Sequence, residues 1–322
     1  RLAPVSTDGA RAPAWDPRRR CCAQHQIHNG ASAPFLMELA APMHWQTTRF
    51  RIDLSWPRVM GIVNVTPDSF SDGGRYGSAL AAMHHCDQLV AEGADLLDIG
   101  GESTRPGAHP PGMQAELARV LPVLQHAVTL GVPVSVDTSE PAVMRAALDL
   151  GVDIVNDVRA LRRPGALACV ASHAHAGVCL MHMRGEPSDM AAFARYADVV
   201  ADVRDALAAR LAEVCAAGVA AERIVLDPGI GFAKSDQHNL TLLARQTELL
   251  PLGRPLLVGW SRKGTLGLIT GRLLHERLAA SVAAALAAAH KGAAVLRVHD
   301  VAATVDALKV WRAVQNGRFE GV

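Results

Sequence analysis

The feature that most constrains this chain is a repeated alternation between short β-branched apolar runs and longer segments rich in alanine and leucine. The longer segments, such as 80–91, 113–130 and 193–217, are long enough for helices that connect parallel strands. Eight such repeats match a closed barrel better than an open doubly wound sheet, which usually has fewer strands. The pattern therefore predicts an α/β fold, a single-domain (β/α)8 TIM barrel. The apolar runs lie at residues 59–65, 95–99, 133–136, 153–155, 178–181, 223–226, 255–258 and 294–298.

The beginning of the chain differs in composition from the rest. Residues 1–45 contain five prolines, three consecutive arginines at 18–20 and no sustained apolar periodicity. A segment of this kind buries too little apolar surface to offset the entropy lost on ordering. We therefore expect residues 1–45 to be a disordered extension, with residues 1–42 dispensable, and residues 46–322 to form the barrel.

The overall composition argues against several classes of partner. Lysine and arginine number 32 against 31 acidic residues, so the formal charge of +1 gives no field that would attract nucleic acid or an anionic membrane. No apolar run approaches the roughly 18 residues of a membrane-spanning helix. The six cysteines lack the paired spacings of zinc sites, and we expect reduced thiols in a cytoplasmic protein.

Polar residues stand where nearly every predicted strand ends. In a barrel these positions lie together at the carboxyl ends of the strands, where barrel enzymes have their active sites. Any one such residue is more often a helix cap or a turn residue. Polar ends on all eight strands are difficult to explain as caps, so they predict a functional site. They are Asn64 with Thr66, 102–105, Asp137, Asn156 with Asp157, His182, Asp227, 261–263, and Arg297 with His299.

Two of the connections have the composition of ligand-binding loops. Residues 66–74 combine turn-forming residues with Asp68, Asp72 and the aromatic Phe70, and they are too many for a minimal strand-to-helix connection. Residues 102–107 form a second loop, whose Arg105 can face a carboxylate or a phosphate. The alternative is an ordinary surface loop, and it has more weight for the second segment than for the first.

The side chains at the strand ends suit a flat polar ligand that carries phosphate. Carboxylates and an amide at Asp137, Asn156 and Asp227 can pair in one plane with a heterocycle rich in donors and acceptors. Basic side chains follow at 234, 263 and 297–299, and barrels commonly hold phosphate on their seventh and eighth loops. Because the chain has neither a GxxxxGK[ST] nor a GxGxxG segment, we expect a small diphosphate ester rather than a nucleotide.

Five short motifs stand in a fixed order along the chain. They are N-V-T-P-D-S-F-S-D-G-G at 64–74, E-S-T-R-P-G at 102–107, D-P-G-I-G-F-A-K at 227–234, S-R-K at 261–263 and R-V-H-D at 297–300. Together they resemble those of the dihydropteroate synthase family and stand in that family's order. The resemblance covers residues 59–299 and implies a folate-pathway transferase. The implied reaction joins 6-hydroxymethyl-7,8-dihydropterin diphosphate to p-aminobenzoate, which gives 7,8-dihydropteroate and pyrophosphate.

The resemblance also implies a role for individual residues. The pterin would be held by Asp137, Asn156, Asp227 and Lys263. The diphosphate would be held by Asn64, Arg297 and His299, and Mg²⁺ by Asn64 and Asp72, a hard cation with oxygen ligands. The p-aminobenzoate site would be shaped by Phe70, Thr104, Arg105, Pro106, Phe232 and Ser261. The residues expected to act in catalysis are Asn64, Asp72, Asp137, Lys263, Arg297 and His299.

Two competing functions remain open at the level of sequence. One is a pterin-binding methyltransferase domain, which passes a methyl group to a corrinoid and needs no diphosphate site. The other is a catalytically silent barrel used for binding, which would be expected to carry broken site residues. We further expect a homodimer formed through the C-terminal helices, because residues 278–289 are apolar around nearly the whole predicted helix. Sulfonamides are expected to compete with p-aminobenzoate.

Overall fold

A computed structural model describes residues 43–66, 74–104, 107, 109 and 111–318. Residues 1–42 of the predicted extension and the predicted site residues Phe70, Asp72, Arg105 and Pro106 lie outside the described residues. Residues 44 and 45, predicted to belong to the extension, instead lie in the first strand. The strands are β1 (His44–Gln46), β2 (Arg51–Asp53), β3 (Arg58–Asn64), β4 (Leu96–Gly100), β5 (Val134–Asp137), β6 (Ile154–Asp157), β7 (Gly177–Met181), β8 (Ile224–Asp227), β9 (Leu256–Val258) and β10 (Ala293–Val298).

Helices connect the strands from β3 onward, and short 3₁₀ turns lie at Met190–Phe193, Ala221–Arg223, Gln246–Leu252 and Leu274–Glu276. The α-helices are α1 (Gly74–Ala91), α2 (Met113–Ala127), α3 (Pro141–Asp149), α4 (Ala166–Ala171), α5 (Val199–Ala216), α6 (Asp236–Ala244), α7 (Gly264–Thr270), α8 (Leu278–His290) and α9 (Val301–Asn316). No helix in the described part of the chain is long and apolar enough to cross a membrane.

Eight parallel strands close into a barrel in the order β10-β3-β4-β5-β6-β7-β8-β9, which confirms the predicted fold. Each predicted run overlaps one of these strands to within two residues at either end. Three strands extend to a polar residue beyond the predicted apolar run, because that residue still pairs in the ladder. These residues are Asp137, Asp157 and Asp227.

The start of α5 differs from the sequence prediction. The predicted helical segment begins at residue 193, whereas the helix begins at Val199. Asp198 determines this start, because its carboxylate accepts hydrogen bonds from the backbone N–H groups of Val200 at 2.9 Å and Ala201 at 3.2 Å. A side chain that satisfies the first free N–H groups in this way defines the N-terminus of a helix.

An antiparallel hairpin of β1 and β2 precedes the barrel, and the sequence pattern did not reveal it. Trp45 in β1 is fully buried, and its indole N–H donates to the carbonyl oxygen of Arg223 at 2.9 Å. Trp45 belongs to the same apolar cluster as the inward-facing residues at the amino ends of the barrel strands, Met60 and Leu96 among them. Gly177 leaves room for it, since a Cβ there would lie 3.1 Å from the indole nitrogen.

The interior of the barrel changes from apolar to polar along its axis. In each strand alternate residues face inward, and along β4 these are Leu96, Asp98 and Gly100. On β5 the ladder partners of Asp98 and Gly100 are Ser135 and Asp137. The amino end is therefore closed by apolar side chains, and the polar groups collect at the carboxyl end.

Candidate active site

A half-buried guanidinium joins two carboxylates at the carboxyl end of the barrel. Arg297 of β10 donates from Nε to Asp98 Oδ2 at 2.6 Å and from Nη2 to Asp137 Oδ2 at 2.8 Å. Asn156 of β6 donates from Nδ2 to Asp98 Oδ2 at 3.1 Å. Side chains from four strands therefore form one hydrogen-bonded layer across the barrel.

Asp98 is a member of this layer that sequence reasoning missed. It is fully buried, and within the described residues its Oδ1 has no hydrogen-bond partner. A buried carboxylate oxygen without a partner is costly in free energy, so it marks a place where a donor is expected to bind. The available signal was one charged residue in the otherwise apolar strand L-L-D-I-G.

The pKa of Asp137 is raised by its surroundings. Burial raises it to about 8, while the charge of Arg297 opposes the rise and the nearby Asp98 adds to it. One guanidinium shared by two carboxylates leaves excess negative charge in the layer, which favours a proton on Asp137. Asp137 can therefore act as a hydrogen-bond donor near neutral pH.

Asp227 and Lys263 form a second polar group beside this layer. Burial raises the pKa of Asp227, opposed by the backbone N–H of Gly229 at 2.7 Å and by the charge of Lys263. Burial also lowers the pKa of Lys263 to about 8. The Lys263 ammonium lies 4.5 Å from the ring centroid of Phe232, and it makes no hydrogen bond to any described residue.

The loop that carries Phe232 has a constrained backbone. Gly229, Gly231 and Ala233 all have positive φ, and a Cβ at Gly231 would lie 3.3 Å from Lys263 Nζ. Lys234 stabilises this loop: its buried ammonium donates to the carbonyl of Phe232 at 3.0 Å and lies 3.0 Å from His182 Nδ1. Lys234 and His182 therefore hold the loop instead of facing an anion directly.

Ser261 holds the backbone and the ring of His299. The Ser261 hydroxyl oxygen accepts from the backbone N–H of His299 at 3.1 Å and lies 3.0 Å from its Nδ1. Burial and then the charge of Arg297 lower the pKa of His299 to about 3, so the ring is neutral at pH 7. In the tautomer in which the Ser261 hydroxyl donates to Nδ1, Nε2 carries the ring proton and can donate it to an anion.

Two further polar groups are free to receive a ligand. Asn64 lies half-buried at the end of β3, and its side-chain amide makes no hydrogen bond within the described part of the chain. The same holds for Nη1 of Arg297, since the two carboxylates occupy only Nε and Nη2. Donors on β3 and β10 are therefore left near the end of the barrel, where two neighbouring strands pair.

The comparisons with known proteins agree on one family. A family model described as pterin binding enzyme matches residues 60–299. A dihydropteroate synthase of Neisseria meningitidis serogroup B is 53% identical over 276 residues, which cover 84% of this chain and 97% of the relative. The chain belongs to the dihydropteroate synthase family. It is accordingly an enzyme, a transferase.

Solved structures of the family have the same fold. A Xanthomonas albilineans dihydropteroate synthase with 4-aminobenzoic acid gives a TM-score of 0.78 at 54% identity, covering 82% of this chain and 95% of the other. The Burkholderia cenocepacia enzyme complexed with 7,8-dihydropteroate gives 0.78 at 50% identity, covering 86% and 98%. A Yersinia pestis enzyme in a sulfonamide drug complex gives 0.80 at 44% identity, covering 85% and 100%.

The structure brings together most of the described residues that the sequence singled out. Hydrogen bonds join Asp137 with Arg297 and Ser261 with His299, and Asn156 joins the same layer through Asp98. Lys263 contacts Phe232. Asn64 ends β3, and the half-buried Thr104 follows β4. Neither makes a described hydrogen bond to the other site residues. Their roles in binding and catalysis stay predictions.

Proposed function

We propose that this chain condenses 6-hydroxymethyl-7,8-dihydropterin diphosphate with p-aminobenzoate, giving 7,8-dihydropteroate and releasing pyrophosphate. The observation that carries the proposal is the buried layer of Asp98, Asp137, Asn156 and Arg297, which presents unsatisfied acceptors and donors at the active-site end of a barrel. Family structures with 4-aminobenzoic acid and with 7,8-dihydropteroate support it.

The pterin is assigned to the buried polar layer. Its ring edge carries several N–H groups, which suit the free Oδ1 of Asp98 and the carboxylate of Asp227. Asp137 and Asn156 border the same space, and Asn156 is oriented by its bond to Asp98. Lys263 adds a cation that has no competing hydrogen bond among the described residues.

The diphosphate is assigned to the ends of β3 and β10. Among the described residues, the donors available for it are Nε2–H of His299, Nη1 of Arg297 and the amide of Asn64. Donors fixed before reaction stabilise the charge that builds on the departing pyrophosphate, and a preorganised contact of this kind typically contributes about 2.7–4 kcal/mol.

Asn64 and Asp72 would hold Mg²⁺. The side-chain oxygen of Asn64 is a hard donor, free in the described part of the chain, and so fits a Mg²⁺ that takes its other ligands from substrate phosphate and water. When bound, the ion would neutralise charge on the diphosphate. The ladder bonds of β3 fix the backbone of Asn64, which orients the side-chain oxygen that would receive the ion.

The p-aminobenzoate is assigned to the side of the site that carries Phe232, Ser261 and Thr104, together with Phe70, Arg105 and Pro106. The ring face of Phe232 lies beside the Lys263 ammonium, and Ser261 is held by its bonds to His299. We also propose that sulfonamides occupy this part, since they share the p-aminophenyl group of p-aminobenzoate. Inhibition competitive with the pterin substrate, and not with p-aminobenzoate, would contradict this assignment.

The test of the proposed function is turnover of the two substrates by the purified chain. Pyrophosphate and 7,8-dihydropteroate should form in equal amounts, and only when both substrates are present. Asp227→Asn should lower the rate, because it removes a buried negative charge that the positive charge of Lys263 stabilises. Glu248→Gln, a change on an exposed surface carboxylate, is the matched control. Methyl transfer from methyltetrahydrofolate to a corrinoid, without pyrophosphate release, would replace the proposal.

We also propose a homodimer that forms through α7, α8 and the segment between them. On α8 the buried face is Ser281 and alanines, and the opposite face is apolar as well, with Leu278 exposed. Leu268, Ile269 and Leu273 are 71%, 59% and 64% exposed. Several large apolar side chains exposed on neighbouring elements are typical of an interface.

Light scattering at micromolar concentration should give the mass of two chains. Leu268→Glu should halve that mass, whereas Leu80→Glu, which places the same charge on an exposed leucine of α1, should not. A monomeric wild-type protein would contradict the proposal.

A cytoplasmic location is proposed on separate grounds: the described cysteines, 86, 169, 179 and 215, are all free thiols.

A further inference from the structure

A buried arginine outside the sequence motifs connects four loops at the carboxyl end of the barrel. Arg159 follows β6 by two residues, is 5% exposed, and binds three partners through its guanidinium. It donates to both carboxylate oxygens of Glu102, at 2.9 and 3.2 Å, to Ser139 Oγ at 2.8 Å and to Glu186 at 2.6 Å. These partners follow β4, β5 and β7, respectively.

The backbone that carries Arg159 is fixed independently of its side chain. The carboxylate of Asp157 accepts from the N–H groups of Arg159 at 2.8 Å and of Leu161 at 2.7 Å. From the other side, Arg210 of α5 donates to the carbonyls of Ala160 at 2.6 Å and Leu161 at 2.7 Å. Arg159 therefore reaches from a rigid turn, in which Ala160 and Leu161 have positive φ.

Among the partners of Arg159, Glu102 is the one whose hydrogen bonds depend most on the guanidinium. Both described hydrogen bonds of the Glu102 carboxylate go to Arg159. Ser139, by contrast, also bonds to Asp157, and its neighbour Thr138 donates to Glu116 at 2.5 Å. Loss of the guanidinium thus leaves the segment after β5 anchored but leaves a buried, unpaired carboxylate after β4.

The same segment is attached a second time at nearly the same place. The backbone N–H of Gly107 donates to the carbonyl of Pro187 at 3.0 Å, and Pro187 is adjacent to Glu186, which Arg159 binds. Thr104 lies between these two attachments, at residues 102 and 107. A buried ion pair contributes little net stability compared with apolar packing, so its main effect here is geometric.

We infer that Arg159 is a positioning residue that sets Thr104 and the p-aminobenzoate side of the site by holding Glu102. This inference rests on the proposed function, because the substrate affected is p-aminobenzoate. Arg159 itself touches neither the Asp98 layer nor the groups assigned to the diphosphate in the described structure.

The test compares Arg159→Met with Arg163→Met in steady-state kinetics. Arg163 lies on the same connection and pairs with Glu140 at 3.4 Å, but it makes no hydrogen bond to a described residue of the segment after β4. Arg159→Met should raise KM for p-aminobenzoate by about 10- to 100-fold, the effect of a misplacement of roughly 1 Å. KM for the pterin diphosphate should change by less than about 3-fold. Arg163→Met should resemble the wild type.

Two further measurements keep the inference testable if Arg159→Met folds poorly. Glu102→Gln should raise KM for p-aminobenzoate in the same way, and the double variant should be less impaired than the sum of the single variants, since both changes break one pair. Hydrogen exchange of the Gly107 amide should rise in Arg159→Met, while exchange in the barrel strands stays unchanged. If kcat and both KM values change together, or if exchange rises throughout, Arg159 is only structural. A wild-type protein that forms no dihydropteroate would instead overturn the proposed function.

Discussion

The chemistry of individual residues here follows from sharing one guanidinium between two carboxylates. Arg297 binds Asp98 and Asp137 at once, and the layer therefore carries more negative than positive charge. A buried site of this kind holds a proton readily and leaves acceptors for a ligand rich in N–H groups. Both consequences can be tested by changing one residue.

Asp98→Asn is expected to weaken the pterin site. The amide keeps the shape but has one acceptor oxygen and no charge, so Arg297 and Asn156 lose a shared charged partner. A hydrogen bond to a charged group contributes about 1.5–3 kcal/mol, which lowers kcat/KM for the pterin diphosphate roughly 10- to 100-fold. Ser135→Ala is the control, because Ser135 is the ladder partner of Asp98 and its buried hydroxyl has no described partner. Equal kcat/KM in Asp98→Asn and wild type would exclude Asp98 from binding.

Activity is expected to fall as the pH rises above about 8. The pKa values of Lys263 and Asp137 both lie at about 8, the first lowered and the second raised by burial. Above this pH Lys263 loses its positive charge, which removes an attraction for an anionic substrate. Asp137 gains a negative charge, which repels that substrate. A plot of log kcat/KM against pH should approach a slope of about −2, and about −1 in Lys263→Arg, which keeps its charge. A profile that stays flat to pH 10 would show that neither group titrates in this range.

At the scale of elements, the start of α2 is tied to the end of β5 by a buried glutamate. Glu116 in the first turn of α2 is 2% exposed and accepts the Thr138 hydroxyl at 2.5 Å. Gly101 packs against it, since a Cβ there would lie 3.1 Å from Glu116 Cγ. Burial raises the pKa of Glu116 to about 7. The helix that follows the β4 loop is therefore held by a group that titrates near neutral pH.

The stability of the folded protein is expected to fall as the pH rises, because burial disfavours the charged form of Glu116. Between a pKa of 4.5 when unfolded and about 7 when folded, the folded state holds the proton longer, so the free energy of unfolding falls as the pH rises. The full effect of Glu116 is about 3 kcal/mol. Urea unfolding at pH 5 and pH 8 should therefore show a larger loss in wild type than in Glu116→Gln. Glu140→Gln, on the neighbouring half-buried glutamate, is the control. Equal losses in wild type and Glu116→Gln would contradict the prediction.

At the scale of the whole molecule, the hairpin and the extension before it are expected to differ in importance. Trp45 fills the amino end of the barrel and is fully buried, so Trp45→Ala should cost about 3–5 kcal/mol of unfolding free energy. Removal of residues 1–42 should leave the melting temperature and kcat unchanged, because their composition supports no core. Thermal unfolding and turnover of the two variants decide the matter. A truncated protein that melts clearly lower would show that the extension stabilises the barrel.

The sequence by itself determined the barrel and the side of it that carries the site. Period and length are local properties: β-branched runs form strands, alanine-rich segments form helices, and polar residues at strand ends face one mouth. Its strand ends and motifs also singled out Asp137, Asn156, Asp227, Lys263, Arg297 and His299, whose roles stay predictions. The family comparison then confirmed the resemblance.

Only the tertiary structure decided the partners that lie far apart in the chain. Asp98 and Arg297 are separated by 199 positions, and Arg159 and Glu102 by 57, so no local pattern links them. The same holds for Trp45, whose hydrogen-bond acceptor lies 178 residues away. A charged residue within an apolar strand, or a tryptophan after a proline-rich segment, has no evident role until the barrel closes. Closure excludes water, and each buried polar group must then find its partner across the fold.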